Sequence, residues 1–425
     1  MSAPLAPVAG SDRAPRTVLD RPFWYTYAAN LAMMTAISLL YRYADFVRLL
    51  GGEELLLGWI IGVGMIGSLA MRLFQGQAID HYGARRVWIM SSAAFVVACL
   101  MHLTVGTADG PAIFFWRIVL QTAIAGFFGA SISFVSASNP AEHVAEVIGT
   151  LGTSGFLGII AGTILGDALL GVSGRIELMF LVSAGISALA CLFGHLATAH
   201  FAPPPPQSRP PLAGVLRRYH PGPVLVMGVA TGFGLGLPTI FLRPYAVELG
   251  IPNLGAFFYP YMATALITRL AIRRLPSLLG IRPVVLIGLA HMVAAILLLA
   301  IVRREWHLYP PALLLGVAHA CMFPSIVASG SVAFPHRYRG LATTLMLATF
   351  DVGSLIGQPT FGGLWDVATG LGWPGFRVAF VVSAVAIALA GCWYAWQTSG
   401  GPLPITEMDR ADALLEAETA EIEAA

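Results

Sequence analysis

Residues 55–105 read LLLGWIIGVGMIGSLAMRLF, then QGQAIDHYGARR, then VWIMSSAAFVVACLMHLTV. An apolar run at 55–74 and another at 87–105 flank a short polar stretch at 75–86. A helix needs roughly 20 apolar residues to cross the hydrocarbon core of a bilayer. The segment therefore reads as one crossing, a turn, and a crossing back. Within the turn, Gly83 permits a tight bend at positive φ, and Gly76 permits a neighbouring helix to come close. Asp80 is an acid placed where a helix N-terminus attracts negative charge. Arg85 and Arg86 suit helix-end carbonyls or lipid phosphates.

The same pattern repeats along the chain. Further apolar runs lie at Phe23–Leu49, Ala112–Val135, Val147–Leu170 and Glu177–Thr198. A second set follows at Pro223–Val247, Ala256–Ile272, Pro283–Val302, Tyr309–Ala333, Leu341–Asp366 and Phe376–Gln397. That gives twelve spans. Between the sets stands Pro203-Pro204-Pro205-Pro206 and an arginine-bearing stretch to His220, which reads as an extended linker. The expected organisation is a tail at 1–21, six spans at 22–200, a linker at 201–220, six spans at 221–398, and an acidic tail at 399–425. The first run is too long for a signal-peptide core and is read as a retained helix.

Composition agrees. Of 425 residues, 57% are hydrophobic and 11% charged, against about 25% charged in a soluble domain. The short alternating segments of a membrane β-barrel are absent. A net charge of +2 gives no basis for a nucleic-acid partner. All 24 basic residues are arginine, which excludes Schiff-base chemistry on lysine. Cys99, Cys191, Cys321 and Cys392 sit singly in apolar runs and read as core thiols. No HExxH, P-loop, GxSxG or paired-cysteine pattern occurs, so neither an enzyme nor a metal site is expected, and no cofactor.

Arginines decide the expected orientation. Those of the tails, the linker and the Arg85–Arg86 and Arg273–Arg274 turns share one side. Glu53, Glu54, Asp109 and Glu305 dilute the few on the other. Both tails are thus expected in the cytoplasm. The halves also match each other. At a shift of 197 residues, Arg72-Leu73 falls on Arg269-Leu270, Gly83 on Gly280, Arg85 on Arg282 and Val87 on Val284. Ser277 stands where Asp80 would. Repeated halves are how many transporters place a substrate site midway through the membrane.

Gly76, Asp80, Gly83, Arg85 and Arg86, in that spacing after the second of twelve spans, resemble the G-x-x-x-D-R-x-G-R-R signature of the major facilitator superfamily, with His81 in place of the basic residue. The resemblance covers about residues 22 to 397. It implies an all-α membrane fold of two pseudo-symmetric six-helix bundles, a monomer, and a loop that latches the halves on the cytoplasmic side. Among branches it is closest in pattern to prokaryotic drug- and sugar-efflux permeases. Gly158, Gly162 and Gly166 in the fifth span resemble the family's antiporter signature, but Thr163 replaces its proline. Gly353, Gly357 and Pro359 form an offset version in the eleventh. Close helix packing accounts for both stripes as well.

Ionisable residues inside spans are costly and so point to function. Asp351, about 15 Å into the eleventh span at 1.5 Å per residue, is read as a lone acid and candidate proton carrier, with Gln358 two turns along its face. Arg117 in the fourth span, with Gln121 at i+4, partly matches the family's R-x-x-Q-G pattern. It is a candidate for an anionic substrate or for an acid partner. His319 in the tenth span titrates in the neutral range and is a further coupling candidate, against a plainly hydrogen-bonded core histidine. Arg42 with Asp45, and Arg243 with Glu248, end the first and seventh spans and are read as periplasmic gate pairs or interfacial anchors. The leading expectation is proton-coupled export of a small organic molecule, driven by the proton gradient across the bacterial cytoplasmic membrane. Uptake of an organic anion, and a non-transporting membrane scaffold or sensor, stay open beside it.

Overall fold

Hydrocarbon offers the backbone no hydrogen-bond partners, so a chain of apolar runs must satisfy its own amides within each crossing. The computed structural model shows that outcome. It describes residues 20–139, 141–199, 219, 221–272, 275–334 and 339–399, with side chains at 80, 141–146, 276, 277, 331, 332, 339 and 340 set aside. The two tails, the Pro-rich linker, Arg273, Arg274 and Arg337 lie outside the described residues.

The spans are α1 (Arg21–Leu39), α2 (Glu54–Tyr82), α3 (Ala84–His102), α4 (Pro111–Ser138), α5 (Ala141–Ser173), α6 (Glu177–Ala197), α7 (Val224–Glu248), α8 (Gly255–Ala271), α9 (Ile281–Ala300), α10 (Tyr309–Val332), α11 (Arg339–Gly370) and α12 (Gly375–Gln397). Among the described residues, nine helices are long and apolar enough to cross a membrane. The other three depart for visible reasons. α1, which tightens into a 3-10 turn at Leu40–Arg42 before a short helix at Tyr43–Leu49, is diluted by Pro22, Trp24, Tyr25, Tyr27 and Asn30; α8 has 17 residues; α11 is diluted by Asp351, Asp366 and its many Gly and Thr residues. Among the described residues no cysteine is disulfide-bonded.

Packing follows the repeat. In the first half α1 packs on α5 and α6, α2 on α4, and α3 on α4 and α6. In the second, α7 packs on α11 and α12, α8 on α10, and α9 on α10 and α12. Adding six to each label of the first set gives the second. The halves meet along two seams, α2 with α11 and, less extensively, α5 with α8. The turns repeat as well: Gly83 and Gly280 both hold positive φ, 81° and 83°, which glycine adopts without strain. After each turn an arginine clasps the end of its half's last helix. Arg85 lies 3.3 Å from the His195 ring at the end of α6, and Arg282 donates to Thr398 Oγ1 at 2.8 Å and to the Ala395 carbonyl at 3.0 Å at the end of α12.

One boundary differs from expectation. The signature stretch is not a loop, because α2 continues to Tyr82 and only Gly83 turns. Hydropathy marks where a helix leaves lipid, and Gln77, Ala78 and Ile79 hold the helix beyond that point.

Candidate functional site

A central cavity of about 440 Å³ lies between the halves, lined by α1, α2, α4 and α5 on one side and α7, α8, α10 and α11 on the other. Its walls are mostly apolar and aromatic, including Met34, Met65, Phe258, Phe323 and Phe350. Arg117, Gln121, His319, Asp351 and Ser354 supply polar groups. A small number of placed polar groups on an apolar lining is the usual make-up of a small-molecule site.

The sequence reading of Asp351 as a lone acid is corrected here. Its Oδ2 accepts from Arg72 Nε at 2.6 Å and from Ser68 Oγ at 2.6 Å, both from α2. The carboxylate thus faces the cavity and ties the α2–α11 seam in the same geometry. Burial in a twelve-helix bundle demands such a partner, since an unpaired charge there is strongly destabilising. Arg269, the repeat counterpart of Arg72, has no such acid among the described residues. Its guanidinium lies 5.9 Å from the Phe156 ring, across the α5–α8 seam.

Arg117 has no ion-pair partner among the described residues. It lies over the Tyr43 ring at 4.6 Å, with its Nε sealed from water and unpartnered. Gln121 keeps its i+4 place and donates Nε2 to Met65 Sδ at 3.4 Å. His319 shares a 2.8 Å hydrogen bond between Nδ1 and the Tyr261 hydroxyl, amid Phe156 and Phe323. Gln358 does not reach the cavity. It is fully buried where α2, α7 and α11 meet, against Gly58 and Gly236, with both amide atoms unpartnered. Close packing at those glycines turns its face away from the one Asp351 presents.

At the end of the bundle away from Asp20 and Ser399, the halves are pinned by charge. Asp45 accepts from Arg42 at 3.3 Å and from Arg243 Nε at 2.8 Å. Arg42 also donates to Asp167 of α5 at 2.6 Å and to the Tyr41 hydroxyl at 2.8 Å, and Tyr41 donates to Asp167. The 3-10 turn at Leu40–Arg42 brings Arg42 alongside Tyr41 and toward α5. Tyr41 meets Phe258 of α8 at 5.6 Å. The expected pairing of Arg243 with Glu248 is replaced by this contact across the halves. Glu248 has no ion pair among the described residues, because five residues along α7 set it on a different face from Arg243. A neighbouring pair, Arg48 with Glu54, closes the α1–α2 connection.

This cluster predicts a gate. Thr239 lines the cavity below it and is exposed. A Thr239→Cys protein is expected to react severalfold faster with a membrane-impermeant maleimide when Asp45→Ala is added, because one carboxylate serves both arginines. An unchanged rate would separate the cluster from gating.

Of the signature residues, Gly83 makes the turn and Arg85, half-buried, bonds within its own half. Arg86 forms no hydrogen bond or ion pair with the other half among the described residues, and the side chain of Asp80 lies outside them. Asp167 and Tyr43 were missed by sequence reasoning, and Arg72 was noticed only as a repeat mark. A polar residue at i, i+4 within an apolar run was the available signal for Arg72, which stands one turn after Ser68. Asp167 had none, since it looks like any acid near a span's end.

Comparison with known proteins agrees with this fold. The Major Facilitator Superfamily model matches residues 23–304. The multidrug resistance protein MdtG of Dickeya zeae is 23% identical over 397 residues, covering 88% of this chain and 91% of that protein. The staphylopine export protein of Staphylococcus aureus is 22% identical over 386 residues, covering 86% and 93%. Among solved structures, the nucleoside transporter NupG superposes with a TM-score of 0.70 at 15% identity, covering 91% of this chain and 100% of that one. An auto-inhibited POT family peptide transporter superposes with a TM-score of 0.73 at 11% identity, covering 90% and 98%.

Proposed function

Because this chain belongs to the major facilitator superfamily, and is thus a multi-pass membrane transporter and not an enzyme, we propose that it exports a small organic solute in exchange for protons, with Asp351 as the proton-carrying group. One observation carries the reading: the acid that lines the cavity also bridges the halves to Arg72. A proton on Asp351 removes its charge and with it the ion pair across the α2–α11 seam. Solute and proton thus act on the same joint, which is what coupling requires, since a ligand moves an equilibrium only by its differential affinity for the two states.

Export is supported by the names of two relatives that match along most of the chain, a multidrug resistance protein and a staphylopine export protein. The arginine distribution supports cytoplasmic termini in a bacterial cytoplasmic membrane. In that orientation the Asp45 cluster lies on the periplasmic side and holds it shut. The proton gradient is the energy source, and one chain forms the unit. Persistence of an intramembrane ion pair at the cavity argues against a scaffold that has lost transport.

Purified protein in liposomes with an entrapped pH-sensitive dye tests this. Under an imposed pH gradient, one or more compounds of a drug and metabolite panel are expected to trigger proton flux. Labelled solute that crosses without any proton movement would replace exchange by facilitated diffusion. Silence with every compound, in protein whose melting is cooperative, would count against transport of this kind.

A further inference from the structure

We propose that the solute is an organic anion: a carboxylate, sulfonate or phosphonate on an apolar body, whose acidic group docks on Arg117. The proposal rests on the reading of the central cavity as the transport site. It does not depend on direction or on proton coupling.

The first ground is charge. Arg117 lines the cavity without a carboxylate partner among the described residues. The one carboxylate in the described cavity lining, Asp351, is already committed to Arg72 and Ser68. Arg117 is therefore left as an uncompensated cation against an apolar wall. A cation so placed is stable only when paired, and the missing partner here is a mobile anion. A cationic solute would find a repelling arginine and no free acid.

The second ground is how Arg117 is held. His102 is fully buried, and its Nδ1 lies 2.7 Å from the Ala98 carbonyl, which can only accept. The proton is thus on Nδ1, and Nε2 accepts from the Tyr43 hydroxyl at 3.1 Å. His102 also stacks on Phe180 at 5.1 Å. These contacts fix the Tyr43 ring as a shelf under the guanidinium, 4.6 Å away. A cation–π shelf orients arginine without occupying its donors, so, although Nε is sealed, the two Nη groups stay free for a two-point hydrogen bond to an acid. An acid partner would have oriented the side chain too, but at the cost of those donors. Tyr43 and His102 are positioning residues for this subsite.

The test is equilibrium binding to the full-length protein in nanodiscs, with no gradient, followed by tryptophan fluorescence. The probes are phenylbutyrate, naphthalenesulfonate and phenylphosphonate, with phenylbutyramide and phenylbutylamine as the neutral and cationic counterparts. Saturable binding is expected for at least one of the three anions, and at least tenfold weaker binding for the amide and the amine. Arg117→Gln is expected to weaken that anion by about 10- to 100-fold, the scale of a lost charge-assisted hydrogen bond. Arg117→Lys, which keeps the charge but not the fork, should fall between, and it guards against misfolding in the glutamine variant. Tyr43→Leu should weaken the anion without affecting the neutral amide. Equal binding of amide and carboxylate, unchanged anion affinity in Arg117→Gln, or no saturable binding by any of the three anions would each overturn the proposal. Because no gradient is used, loss of the export reading leaves this result standing. Proton flux triggered by a neutral or cationic compound would keep the exporter and remove the anion.

Discussion

An Asp351→Asn protein is expected to lose substrate-triggered proton flux altogether while still exchanging labelled for unlabelled solute across liposomes. Asparagine keeps the shape and, like the protonated acid, meets Ser68 and Arg72 only as a neutral acceptor, so the α2–α11 seam can open without a proton. What it cannot do is gain or lose a proton. Loss of flux with exchange retained would place coupling at this residue, and retained flux would move coupling elsewhere. Arg72→Met is expected to be worse for the fold. It leaves Asp351 charged in the seam with Ser68 as its only donor, and removing one member of a buried pair typically costs about 3 kcal/mol or more. A double Arg72→Met, Asp351→Leu protein should recover most of that loss, since nothing charged is stranded. Thermal unfolding of the three proteins in nanodiscs measures it. Equal melting of Arg72→Met and wild type would show that the pair adds nothing to the seam.

Gly162→Val is expected to destabilise the first half by about 3 kcal/mol, the upper part of the overpacking range. A Cβ there would stand 2.5 Å from the Thr35 carbonyl oxygen and 2.7 Å from Ser38 Cβ, and one at Gly158 would stand 2.9 Å from the Leu31 carbonyl. Backbone on α1 cannot step aside as a flexible side chain does. Gly155→Ala in the same helix makes the control, because nothing lies within 4 Å of a Cβ at that position. It should hold or gain stability, given that alanine favours helix over glycine by about 1 kcal/mol. Similar melting for both variants would contradict the reading of the fifth-span glycines as a packing seam, and would reopen a transport-specific role for the stripe.

The fold was largely legible because its determinants are local and repeated. Each apolar run announces a crossing, and the recurrence of Arg85 at Arg282 and Gly83 at Gly280 shows two like halves. The helix ends were less legible, as α2 demonstrates by running through the polar signature to Tyr82. The site was legible in its members but not in its pairings. Asp351, Arg117, Gln121 and His319 do converge on one cavity. No spacing in the sequence, however, could join Asp45 to Arg243, 198 residues away, or Asp351 to Arg72, 279 residues away. Those contacts depend on how the halves face each other. Gln358 shows the opposite failure. It shares the helix and the approximate face of Asp351, yet a small rotation and two facing glycines place it in a sealed junction.

The α1–α5 glycine seam has a mechanical consequence. Backbone resting on backbone leaves little room for sliding, so α1 and α5 form one stiff plank, with Arg42 and Asp167 riveting it near its far end. A stiff plank transmits angle rather than absorbing it. If the α2–α11 seam is the fulcrum, a rotation of about ten degrees there moves the Arg243 contact by roughly 3.5 Å at the end of a lever roughly 20 Å long, a length taken from the helix rise. That displacement exceeds the reach of an ion pair. The bridge between Asp45 and Arg243 therefore breaks as a whole and does not stretch, and the protein passes between two positions with no stable stop between them.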